Sequence, residues 1–84
     1  MYRVILTHKS SSFIKNLPKS NKKKLDIIID HLKENPYSYP YKKIKGETNL
    51  YRIRIGGFRI SYEIYENEDI INILKIGKRD KFYQ

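Results

Sequence analysis

Three arginines stand close together in this chain: Arg52, Arg54 and Arg59, all within the stretch 50–64. A guanidinium keeps its charge at any ordinary pH and presents a planar fork of N–H donors that fits a phosphate or carboxylate. The stretch consists of two alternating runs that meet at Gly56-Gly57. Strict alternation marks a half-buried strand, and a Gly-Gly joint suits the two-residue hairpin turns that need positive φ. With the glycines as the loop, Ile55 faces Phe58, Arg54 faces Arg59, Ile53 faces Ile60, Arg52 faces Ser61 and Tyr51 faces Tyr62. One face then carries Tyr51, Ile53, Ile55, Phe58, Ile60, Tyr62 and Ile64, and the other carries the arginines with Ser61 and Glu63. Like charges directly opposite each other destabilise a sheet by roughly 0.2–1 kcal/mol. A face that needed only to be soluble would mix signs, so converging arginines read as an anion site, above all for phosphates. The plainer alternative is a solvated face partly neutralised by Glu63 or by a partner protein.

The elements that would hold this hairpin follow from the rest of the chain. Residues 2–7 form a short β-branched and aliphatic run, read as a strand. Residues 8–17 place Phe13, Ile14 and Leu17 at helical spacing, and Pro18 ends that helix. Ser20 is the expected N-cap of a second helix running to about Glu34. Its apolar set Leu25, Ile28, Ile29 and Leu32 lies on one helical face, which Ile27 would widen. So tight a joint predicts a helix hairpin. Residues 35–40 cross to the sheet, and residues 42–46 are read as a basic loop with a short extended piece. After the central hairpin comes an acidic turn at 65–69. The nearly continuous apolar run 70–76 is expected as a strand buried on both faces. The order is β-α-α-β-β-β. It predicts one α+β domain over residues 1–84, with two layers: a helix hairpin on one face of a mainly antiparallel sheet, and the arginines on the open face.

Composition narrows the chemistry. The chain has 84 residues, a net charge of +9, eight tyrosines and no cysteine. So short a domain buries only about 60% of its unfolded surface, so a surface site is expected rather than a deep pocket. Without cysteine there is no disulfide framework and no thiol nucleophile, which fits a cytoplasmic protein. No apolar run approaches the roughly 18 residues of a membrane span, so no membrane partner is expected, and the first residues lack the pattern of a signal peptide. No metal-ligand cluster and no cofactor motif is visible. The charge points to a polyanionic partner. Lys22, Lys23 and Lys24 read as a solvated helix face or as RNA-backbone contacts driven by counterion release. Lys42, Lys43 and Lys45, which abut the arginine strand, carry the same two readings.

In this order and at this length the chain resembles the RelE/ParE toxin superfamily, and within it the RelE branch. The likeness rests on residues 32–36 (Leu-Lys-Glu-Asn-Pro) that close the helix hairpin, on Ile44-Lys45-Gly46, on Leu50 through Gly56, and on Phe58 through Tyr62. It also rests on Ile76-Gly77-Lys78-Arg79 with Phe82-Tyr83. The resemblance implies a ribosome-dependent endoribonuclease that cleaves mRNA in the ribosomal A site. It implies a cognate antitoxin that neutralises the toxin, and operator DNA bound only through the toxin–antitoxin complex. The family's functional basic positions match Arg52, Arg54, Arg59 and Arg79, and its C-terminal tyrosine matches Tyr83. Some members carry lysines where this chain has Arg52 and Arg54. Arginine cannot give up its proton, so a lysine base at those positions is absent here.

RNA cleavage by the ribose 2′-hydroxyl needs a deprotonated nucleophile, stabilisation of the phosphorane charge and a proton for the leaving 5′-oxygen. His8 and His31 lie far in sequence from the arginines and read as cap or surface residues. The expected nuclease therefore works without metal or histidine. Arg52, Arg54, Arg59 and Arg79 would stabilise charge, Tyr83 would transfer a proton, and Lys78 would donate one or contact phosphate. The alternatives are a ParE-like inhibitor of DNA gyrase and a non-catalytic RNA-binding module on the same fold. From the charge alone, affinity for RNA or ribosomes should fall steeply between low and physiological salt. A flat response in a filter-binding titration would rule out phosphate contacts as the main source of binding.

Overall fold

The computed structural model describes residues 1–46 and 48–78. It contains strand β1 (Arg3–Leu6), helix α1 (His8–Lys15), helix α2 (Lys19–Glu34) and strands β2 (Tyr41–Lys43), β3 (Leu50–Ile55), β4 (Phe58–Tyr65) and β5 (Ile70–Lys78). The strands make one five-stranded sheet in the order β1-β5-β4-β3-β2. All pairings are antiparallel except β1 with β5. The two-layer α+β architecture is the expected one. The extended piece at residues 41–43 adds a short edge strand to the expected order.

The hairpin of β3 and β4 holds the whole expected register, from Ile55 opposite Phe58 to Tyr51 opposite Tyr62. Gly56 has φ +60° and Gly57 φ +85°, a pair of left-handed conformations that only glycine adopts without strain. Alternation then sends Ile53, Phe58, Ile60, Tyr62 and Ile64 into the core. There they meet Leu25, Ile28, Ile29 and Leu32 of α2, and Ile71, Ile73 and Ile76 of β5. Tyr62 brings a hydroxyl into this core and donates it to the carbonyl oxygen of the buried Pro36 at 3.0 Å. Burial pushes its phenol well above the usual tyrosine range.

Three details differ from the sequence reading. Helix α2 begins at Lys19 with Pro18 at its N-cap. Proline fits a helix entry, where a missing N–H costs nothing, and so Ser20 lies inside the first turn. Ile27 is 52% exposed and does not widen the buried face. Strand β5 is buried on one face only, because Asn72 and Lys75 interrupt the other.

That second face of β5 owes its phase to a bulge. Ile71, Asn72 and Ile73 pair with Ile64, Glu63 and Tyr62, whereas Lys75, Ile76 and Gly77 pair with Ser61, Ile60 and Arg59. Leu74 is the extra residue. Its carbonyl oxygen accepts a hydrogen bond from Thr7 Oγ1 at 3.0 Å, and the carbonyl of Ile73 accepts from the buried Ser10 Oγ at 2.9 Å. Thr7 is also the N-cap of α1, accepting from the backbone N–H of Ser10 at 3.2 Å. The start of α1 is thus clamped onto the bulge. Thr7→Ala should destabilise the fold by about 1–2 kcal/mol, the upper range for a lost cap, since Leu74 loses its donor as well. Thr7→Ser should retain most of that stability. Chemical denaturation compares them, and equal midpoints for Thr7→Ala and the parent would mean the clamp contributes nothing.

Candidate functional site

The face of the sheet away from the helices is organised in rows that run across the strands. In one row Arg54 stands opposite Arg59, and Arg59 opposite Gly77. In the next, Lys42 stands opposite Arg52, Arg52 opposite Ser61, and Ser61 opposite Lys75. Neighbouring strands are about 4.7–4.9 Å apart, so long cationic side chains on adjacent strands come within reach of one another. Glu63, one row further along β4, has its carboxylate engaged by the side-chain amide of Asn72, which donates to it at 3.1 Å. Arg52, Arg54 and Arg59 line a cavity of about 450 Å³ together with Pro40, Tyr41, Lys42 and Ile53. Its floor differs from the fully open face read from sequence. Arg54 is exposed, but Arg59 is only 2% exposed, so the two facing arginines differ sharply in their access to solvent.

The expected RNA-binding lysines do not all share this face. Lys42 does, opposite Arg52. Lys43 pairs with Tyr51 and lies on the other face, its Nζ 5.9 Å from the centre of the Tyr51 ring. Around it Tyr37, Tyr41 and Tyr51 form an aromatic cluster with ring centres 5.5–5.8 Å apart. The hydroxyl of Tyr37 is bonded to Glu66. That bond, with burial second, raises the Tyr37 phenol above the usual range. Lys45 sits in a turn. Lys22, Lys23 and Lys24 belong to the helical layer, where the stem of Lys24 lies against the hairpin tip: a Cβ on Gly56 would come within 2.9 Å of its Cε. Lys78 pairs with Phe58 at the end of β5, on the side of the helices, and lines a groove there with Lys9, Phe13 and Leu17. Arg79 and Tyr83 lie outside the described residues. His8 opens α1 and is exposed. His31 is exposed and its Nδ1 lies 2.6 Å from the hydroxyl of Tyr39. Among the described residues, no group of three or more His, Asp or Glu could hold a metal ion, and no helix is long and apolar enough to cross a membrane.

One residue of the face was missed by sequence reasoning. Lys75 reads as an interruption of an apolar run, and period-two counting from Ile71 and Ile73 would turn it toward the helices. The bulge at Leu74 reverses that phase and sets Lys75 beside Ser61. The signal was present in the run itself, since Ile73 and Ile76, three apart, cannot both face the core in an unbroken strand.

Comparison with known proteins agrees with this geometry. Residues 4–83 match the family model described as the ParE toxin of the type II toxin–antitoxin system parDE. The RelE1 toxin candidate of Methanocaldococcus jannaschii is 40% identical over 74 residues, covering 84% of this chain and 82% of that protein. Toxin RelE3 of the same organism is 34% identical over 74 residues, covering 83% and 82%. The archaeal RelE–RelB complex from Pyrococcus horikoshii contains a chain that superposes with a TM-score of 0.78 at 26% identity, over 95% of this chain and 97% of that one. A family match over nearly the whole length, relatives this similar and a shared fold leave one conclusion: the chain belongs to the RelE/ParE family of toxins of type II toxin–antitoxin systems.

Proposed function

We propose that this toxin is a ribosome-dependent, metal-independent endoribonuclease of the RelE type, acting in the cytoplasm on mRNA in the ribosomal A site. The observation that carries this reading is the convergence of Arg52, Arg54 and Arg59 on one cavity of the sheet face. As the 2′-oxygen attacks the scissile phosphorus, negative charge builds on the phosphorane oxygens. Fixed guanidinium donors aimed at that charge need no reorganisation as it develops. Arg54, exposed at the rim, is suited to contact the phosphate directly. The buried Arg59 supplies charge from the floor, in a less watery setting where each interaction is stronger. Arg79 and Tyr83 complete the proposed set, with Tyr83 carrying a proton. Holding the mRNA in line for attack falls to the ribosome, and orientation alone can contribute about 7–11 kcal/mol in favourable cases. Lys22, Lys23, Lys24, Lys42, Lys43, Lys45 and Lys78 spread over both layers and suit contacts with ribosomal RNA.

The same reading includes an antitoxin. A cationic face is suited to an Asp- and Glu-rich segment that folds on binding. The RelE of Pyrococcus horikoshii is known in complex with RelB. Operator DNA would be bound through that complex.

A second reading is favoured by the family model, which is described by ParE: inhibition of DNA gyrase. Two assays separate them, mRNA cleavage on programmed ribosomes and DNA supercoiling by gyrase. We expect cleavage without an effect on supercoiling, and the opposite result overturns the nuclease proposal. Arg54→Ala should keep stability within about 0.5 kcal/mol, as for an exposed substitution, while single-turnover cleavage drops on the order of 10²–10³, as for a lost oxyanion donor. Arg59→Ala should lose both activity and stability, because it empties a buried site. Undiminished cleavage by Arg54→Ala would remove the exposed arginine from the mechanism. Co-expression with an acidic protein encoded beside this toxin should relieve its toxicity, and persistence of toxicity with no complex formed would count against the antitoxin assignment.

A further inference from the structure

We infer that Lys75 belongs to the cleavage site and delivers the proton to the 5′-oxygen as it leaves the scissile phosphate. The inference rests on the nuclease reading above and assigns within it a residue that neither the sequence motifs nor the resemblance supplies.

Arg52, Arg54 and Arg59 stabilise charge but have no proton to exchange at neutral pH. A leaving alkoxide is a strong base and departs poorly without a proton, so a donor must stand near the phosphate those arginines hold. On this face Glu63 and Tyr65 lie one and two rows beyond Ser61, away from Arg59, and the nearer described side chains with a dissociable proton are Lys42, Ser61 and Lys75. Lys42 belongs to the edge strand β2, beyond Arg52. Ser61 is a short side chain between Arg52 and Lys75. Lys75 stands directly opposite Ser61 and two residues from Gly77, the partner of Arg59. Lys75 borders the groove beside α1 as well, and a swing of its long stem toward Ser61 would bring Nζ over the Arg52–Arg59 diagonal, from the side of the site opposite to Lys42. It is also exposed, so a proton given up can be replaced from solvent.

The bulge makes this placement specific. Bulges near active sites commonly serve to re-aim a side chain. Here the extra residue Leu74 is fixed through its carbonyl by Thr7, and the carbonyl before it by the buried Ser10. Two polar side chains at the head of α1 are thus committed to holding a kink whose consequence is that Lys75, rather than Leu74, joins the cationic face.

The 2′-oxygen bonds to phosphorus, and its proton passes to the base of the proposed set and from there to water. The P–O5′ bond breaks, and its electron pair stays on O5′. That oxygen takes a proton from Nζ of Lys75, leaving a neutral amine that solvent reprotonates. The products are a 2′,3′-cyclic phosphate and a 5′-hydroxyl.

The test compares the parent, Lys75→Arg and Lys75→Gln in single-turnover cleavage on programmed ribosomes. One mRNA carries the natural 5′-oxygen at the cut site, and a second carries sulfur in its place, a leaving group that needs no proton. Both variants should lose on the order of 10²–10⁴ on the oxygen substrate, recover to near the parent rate on the sulfur substrate, and bind ribosomes and melt like the parent. Retained activity in Lys75→Arg would overturn the inference, because charge alone would then suffice. Failure of the sulfur substrate to rescue either variant would overturn it too. If the parent itself cuts neither mRNA, the nuclease reading fails and takes this inference with it.

Discussion

The register of the β3–β4 hairpin is the constraint on which the remaining structure depends. Side chains alternate along a strand, so a slip of one residue would turn the arginines into the core and the isoleucines out to solvent. The turn at Gly56 and Gly57, both at positive φ, fixes the register at one end. The contest between the two faces is uneven. Opposing Arg54 and Arg59 costs roughly 0.2–1 kcal/mol. Ile53 and Ile60 are buried on the other side, and each such side chain contributes about 1.5–3 kcal/mol on burial. The core therefore sets the register, and the charged face accepts the repulsion that follows.

A second phase-setting device acts on β5. There the core needs Ile71, Ile73 and Ile76 on one side, and that spacing cannot be met by an unbroken strand. The bulge satisfies it, and α1 supplies the hydrogen bonds that keep the displaced carbonyls paired. An apolar requirement on one face and a cation on the other are met by the same irregularity. Helix α1 is short, and its N-cap is part of this arrangement. Its role in the fold is thus tied to the sheet as much as to the helical layer.

How far the sequence could be read follows from where its periods are unbroken. Residues 50–64 alternate strictly, and every cross-strand pair expected from them is present. The apolar face of α2 was legible for the same reason, apart from Ile27, whose position next to Ile28 says nothing about how wide the facing groove is. Lys75 was hidden because a bulge resets the count. The faces of Lys43 and Lys78 were hidden because β2 is three residues long and the end of β5 depends on the bulge before it. Ser20 was an attractive cap by residue type, yet Pro18 with its fixed φ sits at the entry instead. Arg59 is buried although it lies on the face away from the helices, and alternation reports a side chain's face but not its cover. Arg79 and Tyr83 rest on the resemblance alone.

The proposed chemistry divides labour by residue type. Where some family members carry lysines, this chain has Arg52 and Arg54, which strengthens a fixed positive field and removes proton transfer from those positions. A field of arginines stabilises the phosphorane but does not itself protonate the departing oxygen, so in the proposed mechanism that proton comes from another residue type, and Lys75 on β5 is the residue assigned to it. It also separates the two demands physically. In the proposed mechanism the charges that would hold the phosphate lie on β3 and β4, which are joined by the two-residue turn at Gly56 and Gly57, and the assigned proton donor lies on β5, at the end of a four-carbon stem. Such a division suits a reaction in which phosphate charge develops in one place while the proton must follow an oxygen that moves away.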